Sequence, residues 1–313
     1  MSAGSDDLSL LHRPVLVAEV LAHLAGEDRE RSLVVDGTVG YGGHAEAMLS
    51  AWPACRLLGL DRDLVALQST KSRLARFGGR VRLFHASYAD LPEVLEEAGE
   101  GRPDAALLDL GVSSPQLDVR GRGFSFRAED DPADMRFDAS SDAPTAADFV
   151  NRTDERELAR RIFEDGGERR ARAVARALVA ARPVRIVRDL VLAIQRVVPR
   201  DASGLHPATR TFQALRMAVN DERGHLLRGL EAAIAALAPR GRLGVISFHS
   251  GEEHAVKEAF RAAQATGRAK VITTKGVRPT EEELAANPRA SSARLRVAEA
   301  AVGPAVGAGT RVG

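Results

Sequence analysis

Cysteine is almost missing from this 313-residue chain, Cys55 being the only one. That excludes an internal disulfide and a cysteine-based zinc site, and it suits a reducing compartment. Long apolar runs are missing as well. No stretch approaches the roughly 20 residues that span a bilayer, and residues 1–11 carry neither the basic flank nor the apolar stretch of a secretion signal. The expectation is a cytoplasmic protein with no membrane partner and no metal. Lysine is scarce: Lys71, Lys257, Lys270 and Lys275 are the only ones among 44 basic residues, so the positive charge is carried by arginine. Arginine suits bidentate phosphate contacts and base stacking, although a GC-rich genome produces the same bias. The acids nearly cancel it. A formal net charge of +1 falls short of the strongly basic balance, pI above about 9, of many nucleic-acid binders. With 44% hydrophobic residues the chain is long enough for a sizeable core and for more than one domain.

Short apolar runs at 33–35, 57–60, 81–84 and 105–110 read as buried strands, with amphipathic stretches between them. Such repetition predicts an α/β fold with a parallel, doubly wound sheet and ligands at the carboxyl ends of its strands. The pattern stops at about 117. Up to 207 there is a loop rich in Gly, Asp and Phe, then Arg/Ala/Leu helices such as 154–163 and 169–181, which read as an inserted all-α domain. Helices at 211–220 and 222–237 follow. The turn Pro239-Arg-Gly241 and the run 243–248 resume the sheet, and 270–274 and 293–298 supply its last two strands. The expected organisation is one domain in two parts, 1–116 and 208–302, interrupted by 117–207 and followed by a flexible tail, 303–313.

The segment Val34-Val-Asp-Gly-Thr-Val-Gly-Tyr-Gly-Gly-His44 leaves a strand, turns on four glycines and enters a helix. Glycines let the backbone approach a ligand closely. Alone, the pattern also fits a purely structural strand-turn-helix connection. Acids sharpen it: Asp36, Asp61 and Asp109 end the first, second and fourth strands and point into one crevice. A carboxylate about 20 residues beyond the turn suits a ribose hydroxyl pair, present in dinucleotides and in S-adenosylmethionine alike. Asp36 and Asp109 separate the two, since carboxylates around the turn repel a pyrophosphate and favour the ammonium and sulfonium charges of S-adenosylmethionine. That cofactor is therefore expected. In His85-Ala-Ser-Tyr-Ala-Asp90, Tyr88 is placed to pack on the adenine with Ser87 at its edge; a tyrosine filling the sheet edge is the alternative.

The methyl acceptor is narrowed by what is absent. Carbon-5 methylation of a pyrimidine generally uses a cysteine that adds to the ring, yet Cys55 precedes the second strand, at the end of the sheet away from the crevice, as a small core residue would. Ribose 2′-oxygen methylation commonly relies on lysine, and only Lys275 is a candidate for a strand end facing the cofactor. An exocyclic amine needs less: its nitrogen held in line with the methyl group, and an acceptor for its proton. Asp109 is the candidate catalytic acceptor. Holding the cofactor, or shaping the loop Gly111-Val-Ser-Ser-Pro115 that contains Ser113, is the alternative role.

Several segments match a known family: His12-Arg-Pro-Val15; Asp36-Gly-Thr and Gly42-Gly-His44; Leu107-Leu-Asp-Leu-Gly-Val-Ser-Ser-Pro-Gln-Leu-Asp118; Arg122-Gly-Phe-Ser-Phe126; Asp134-Met-Arg136; His206-Pro-Ala-Thr-Arg-Thr-Phe-Gln-Ala-Leu-Arg216; Val245-Ile-Ser-Phe-His-Ser250; and Asn287-Pro-Arg289. With them the chain resembles the bacterial 16S rRNA cytosine-N4 methyltransferases known as RsmH or MraW. The resemblance implies a Rossmann-like S-adenosylmethionine-dependent methyltransferase sheet with an inserted all-α domain for substrate recognition. It also implies methylation of a cytosine N4 amine in the decoding region of 16S rRNA, within the small ribosomal subunit or its precursor. Carried over by position, the cofactor contacts fall on Gly42, Gly43, His44, Asp61, Tyr88, Asp109 and Gln116, beside Asp36. His44 is otherwise an ordinary helix-start residue and Gln116 a loop amide. The chain departs from the family at Gly251, His254, Gly276 and Ala290, which bears on substrate contacts rather than on the cofactor turn.

The remaining candidates face the substrate. Arg122, Phe124 and Phe126 suit rRNA contacts, the aromatics by stacking on a displaced base; core anchoring of their loop is the alternative reading of the two phenylalanines. Arg160, Arg161, Arg169, Arg170, Arg172 and Arg176 offer a phosphate face, but interleaved acids such as Glu157 and Glu164 favour a solvated helix face. His206, Arg210 and His249 border the acceptor pocket in this reading, His249 by positioning rather than as a base. A homodimer is left open. The competing non-enzymatic expectation is an S-adenosylmethionine-binding ribosome assembly factor without turnover, suggested by the departures around Gly251 and His254.

Overall fold

The computed structural model describes residues 14–25, 31–111, 120–200 and 204–302. The chain divides into two compact units, Met1–Gly111 with His225–Gly313, and Val112–Gly224. The first unit holds the strands β1 (Leu33–Asp36), β2 (Arg56–Asp61), β3 (Val81–His85), β4 (Ala105–Asp109), β5 (Arg242–Ser247), β6 (Ala269–Val271) and β7 (Arg294–Ala300). They form one sheet in the order β3-β2-β1-β4-β5-β7-β6. Early helices in this unit are α1 (Val17–Leu24), α2 (Gly43–Ala51), α3 (Leu64–Arg73) and α4 (Leu91–Ala98).

The strands read as continuous apolar runs because both faces of the sheet are covered. Along β1, Leu33 and Val35 pack with Leu58, Leu60 and Leu230 on one side, while Val34 packs with Leu57 and Met48 on the other. Each such buried side chain is worth on the order of 1.5–3 kcal/mol. Two expectations are corrected. β3 is half-buried rather than buried, because it forms the sheet edge with only β2 beside it. The sheet is mixed rather than wholly parallel, since β7 runs antiparallel to both β5 and β6. The chain between β6 and β7 begins and ends at the carboxyl end of the parallel strands, so β7 has to run back. The helix of that connection is among the residues brought to that end.

The second unit contains α5 (Ala146–Arg152), α6 (Glu155–Glu164), α7 (Ala171–Ala180), α8 (Val187–Gln195), α9 (Thr209–Val219) and the first turn of α10 (Glu222–Ala236). Leu158, Ile162, Val174, Leu178, Leu190, Ile194, Phe212 and Leu215 supply its core. Its limits differ from the expected 117–207. α9 has the expected helical period, but Phe212, Ala214 and Leu215 are buried in the helical core, so this unit continues to Gly224. In the first unit, α11 (Ser250–Ala265) follows β5 and α12 (Glu281–Ala286) precedes β7. Among the described residues no helix is long and apolar enough to cross a membrane, and no group of His, Cys, Asp and Glu is arranged to hold a metal. The expected tail, 303–313, lies outside the described residues.

Candidate active site

β1 delivers Asp36 to the carboxyl end of the sheet, and the chain then crosses the ends of its neighbours. Gly37 N–H donates to the Leu107 carbonyl and Val39 N–H to the Leu60 carbonyl, both at 2.9 Å. Gly37 leaves no room for a side chain: a Cβ there would lie 2.5 Å from Leu108 and 2.8 Å from Tyr88. Gly42 turns at φ +79° to start α2, a conformation open to glycine without strain. Pro14 presses on Gly43 from the other side. α3 props the turn from below, where Thr70 Oγ donates to the Gly40 carbonyl and Arg73 bonds the Tyr41 carbonyl and Glu46.

The structure brings Asp36, Asp61, Asp109 and His44 together around this turn. Asp36 Oδ1 accepts from Thr38 N–H at 3.2 Å, while its Oδ2 is buried with no partner among the described residues. Asp61 accepts from Gly40 N–H at 2.8 Å and from Asp63 N–H at 2.9 Å. Asp109 donates its N–H to Thr38 Oγ at 2.6 Å. Its Oδ2 stands 3.5 Å from His44 Nδ1, and its Oδ1 is buried with no partner among the described residues. His44 Nε2 bonds the Val15 carbonyl at 2.8 Å.

Burial sets the electrostatics. It pushes Asp36 up to about 7 against the opposing effects of His44 and the Thr38 N–H, and Asp61 up to about 6 against backbone bonds from Asp63 and Gly40. Asp109 also reaches about 7, by burial and then by the charge of Glu252. Burial holds the His44 imidazole below its ordinary value, against Asp36, the Val15 bond and Glu283. Carboxylates that lack water and partners are costly to ionise and gain most from a cationic ligand. This donor set fits the ammonium and sulfonium of S-adenosylmethionine, and its acceptors repel a pyrophosphate.

Tyr88 stands between the glycine turn and α10, its ring against Gly229. Ser87 Oγ accepts from Ala89 N–H at 3.1 Å and is hydrogen-bonded to His225 Nδ1 at 3.0 Å. The loop is therefore fixed at both ends of the Ser87 side chain. Tyr88 is half-buried and packs against the core of the sheet.

His249 follows β5 and caps α11. Its Nδ1 accepts from Glu252 N–H at 3.4 Å, and its Nε2 lies 3.1 Å from Glu252 Oε1 but out of line for a hydrogen bond. Gly251 makes room for that arrangement, since a Cβ there would come within 3.2 Å of Nδ1 and 3.3 Å of Cε1. A larger side chain at this position would press on the imidazole. His254 and Gly276 have no equally direct consequence in the structure.

The substrate-side candidates in the helical unit are mostly built into it. Phe124 is only 6% exposed and stacks on Phe137 at 5.8 Å, so it is a core anchor and not the base-stacking face considered for it. Arg122 lies over Phe124 and bonds the Arg136 and Phe137 carbonyls at 3.0 and 2.8 Å. Phe126 stacks on His206 at 4.2 Å and meets Phe212 edge-on. The His206 imidazole is held down by burial and then by Arg200 and Arg127. Arg210, at the start of α9, makes no ion pair with another described residue. Arg160, Arg161 and Arg176 pair with Glu157, Glu164 and Glu155, as a solvated helix face does. Ser113, Gln116 and His12 lie outside the described residues.

Four residues near the turn were not among the sequence candidates: Val15, Glu252, Glu283 and Gly229. Glu252 was within reach of the rule that found Asp61, being an acid just past a strand end. The others act through contacts distant in sequence and leave no local pattern.

A family model described as the MraW methylase family matches residues 9–301. Ribosomal RNA small subunit methyltransferase H of Methylorubrum populi is 46% identical, over 94% of this chain and 88% of its own. Its namesake from Rhodospirillum centenum is 45% identical over 96% of each chain, and that from Paramagnetospirillum magneticum is 43% identical over 94% of this chain and 97% of its own. With a glycine turn ringed by acids at the strand ends and a match along nearly the whole length, the chain belongs to the MraW methylase family.

Proposed function

We propose that this chain is an S-adenosylmethionine-dependent methyltransferase acting on the N4 amine of a cytosine in the decoding region of 16S rRNA. The observation that carries this reading is Asp109, which ends β4 beside the glycine turn with one carboxylate oxygen buried and unpartnered among the described residues. Such an oxygen suits an amine N–H. Cys55, by contrast, is fully buried with its thiol pushed up by burial, which argues against a nucleophile that adds to the pyrimidine ring. The relatives named above for the small-subunit rRNA support the substrate.

In this reading Asp61 holds the ribose hydroxyls, Asp36 faces the ammonium, and Gly42 and Gly43 allow the backbone to approach. S-adenosylmethionine supplies the methyl group on a sulfonium. Asp109 holds the acceptor nitrogen in line and takes its proton, and the helical unit, with His206 and Arg210, recognises the rRNA.

Mass spectrometry of 16S rRNA nucleosides from cells with and without the gene tests it. One N4-methylcytosine should depend on the gene and vanish when Asp109→Ala replaces the parent, with cofactor still bound and the rate down by about a hundredfold or more. An rRNA signal unchanged by loss of the gene would return the non-catalytic assembly factor.

A further inference from the structure

Residues 14–16 are tied to the glycine turn more firmly than a connecting segment requires. Pro14 packs on Gly43, the Val15 carbonyl bonds His44 Nε2 at 2.8 Å, and Leu16 N–H donates to Glu283 Oε1 at 2.7 Å. Leu16 is fully buried yet sits at φ +54°, ψ +31°, a left-handed conformation unfavourable to any residue with a Cβ. Strain of this kind persists where the surroundings over-determine it, commonly at functional sites.

What the strap fixes is the His44 tautomer. A carbonyl only accepts, so the ring proton resides on Nε2 and the neutral imidazole offers a bare lone pair at Nδ1. Nδ1 faces Asp109 Oδ2 at 3.5 Å, and the other oxygen of Asp109 is the unpartnered one. The charged groups that face this pair come from three elements: Asp36 on β1 and Glu283 on α12 beside His44, and Glu252 on α11 beside Asp109; Asp61 on β2 faces Asp36. All are acids: Asp36 and Glu283 favour a proton arriving on the imidazole, and Glu252 favours one on Asp109. Burial keeps His44 neutral until one does.

We propose that His44 is the positioning residue of Asp109 and receives at Nδ1 the proton that Asp109 takes from the acceptor amine. The proposal rests on the cytosine-N4 reading. The amine lone pair forms the N–C bond to the methyl carbon, and the C–S bond breaks with its electron pair left on sulfur. The nitrogen, now cationic, loses one proton to Asp109 Oδ1. The carboxyl group then turns about its Cβ–Cγ bond and gives that same proton to His44 Nδ1, leaving a carboxylate beside an imidazolium whose Nε2–H still bonds Val15.

Two measurements on the full chain test this. In 15N-histidine-labelled protein saturated with S-adenosylhomocysteine at pH 7.5, His44 should be neutral with its proton on Nε2; a proton on Nδ1 overturns the proposal. His44→Gln keeps a donor for Val15 and removes Nδ1. In single turnover at saturating S-adenosylmethionine it should lose about a hundredfold in plateau rate. Its acid limb should also move to lower pH, because protonated Asp109 has lost an acceptor. A parent-like rate, or a lowered rate with the limb unmoved, overturns the relay. If His44→Gln does not fold, the labelled parent decides alone. Absence of N4-methylcytosine with the parent protein would defeat the cytosine reading instead, leaving the tautomer measurable.

Discussion

A Cβ on Gly229 would stand 2.2 Å from Cδ2 of Tyr88, inside the surface of the ring. Glycine at this point of α10 therefore sets how far the ring retreats from the glycine turn. Gly229→Ala should push it toward the turn, lower stability by about 1–3 kcal/mol through overpacking, and weaken S-adenosylmethionine binding. Calorimetry of unfolding and of cofactor binding measures the two effects. Parent-like cofactor affinity in Gly229→Ala would remove Tyr88 from the cofactor site.

The three site carboxylates make a prediction whose sign is fixed. Asp36 and Asp109 at about 7 and Asp61 at about 6 lie above their ordinary 3.8, so the folded chain holds protons that the unfolded chain has released. Their stabilisation is complete below about pH 4 and is lost as pH rises through 6 to 7. His44, lowered by burial, works the other way only up to its ordinary value of 6.5. Between about pH 6.5 and 7.5 the melting temperature of the free protein should therefore fall. A cation favours the carboxylate forms, so the thermal shift given by S-adenosylmethionine should grow over the same interval, and more than that given by S-adenosylhomocysteine, which lacks the sulfonium. Equal growth for the two ligands would show that the acids do not face the sulfonium.

In the helical unit, Asn220 is the residue whose loss should cost most for its size. Buried at the end of α9, it donates to the Met135 and Arg216 carbonyls at 2.7 and 2.9 Å and accepts from Phe137 N–H at 2.7 Å. Met135 is itself buried at φ +63°, so Asn220 holds a strained segment in place. Asn220→Ala should destabilise this unit by about 2–4 kcal/mol, read as early loss of hydrogen-exchange protection at α9 and α5. Uniform loss across both units would mean that they unfold together.

Much of the fold was legible because its signals are local. Apolar runs mark strands covered on both sides, and the acids after β1, β2 and β4 follow from where a strand must end, so Asp36, Asp61 and Asp109 were found from spacing alone. The edge position of β3 and the reversal of β7 depend on which strands become neighbours, and that is not written in either segment. α9 showed its period but not the core it faces. Phe124 carried the same ambiguity, since burial and base stacking call for the same side chain. Glu283 reaches Leu16 across 267 residues, a contact no window along the chain contains.

That last contact gives the site an order of completion. A chain made from its amino end has the glycine turn available early, but the partner that holds Leu16, and through it the Val15 carbonyl against His44, is not present until residue 283 has been made. β7, the strand that seals β5 to β6, comes later still. Anchoring of the turn is therefore a late event in the life of each new molecule, and a truncated translation product, however well its first strands pair, lacks the Glu283 anchor of this site.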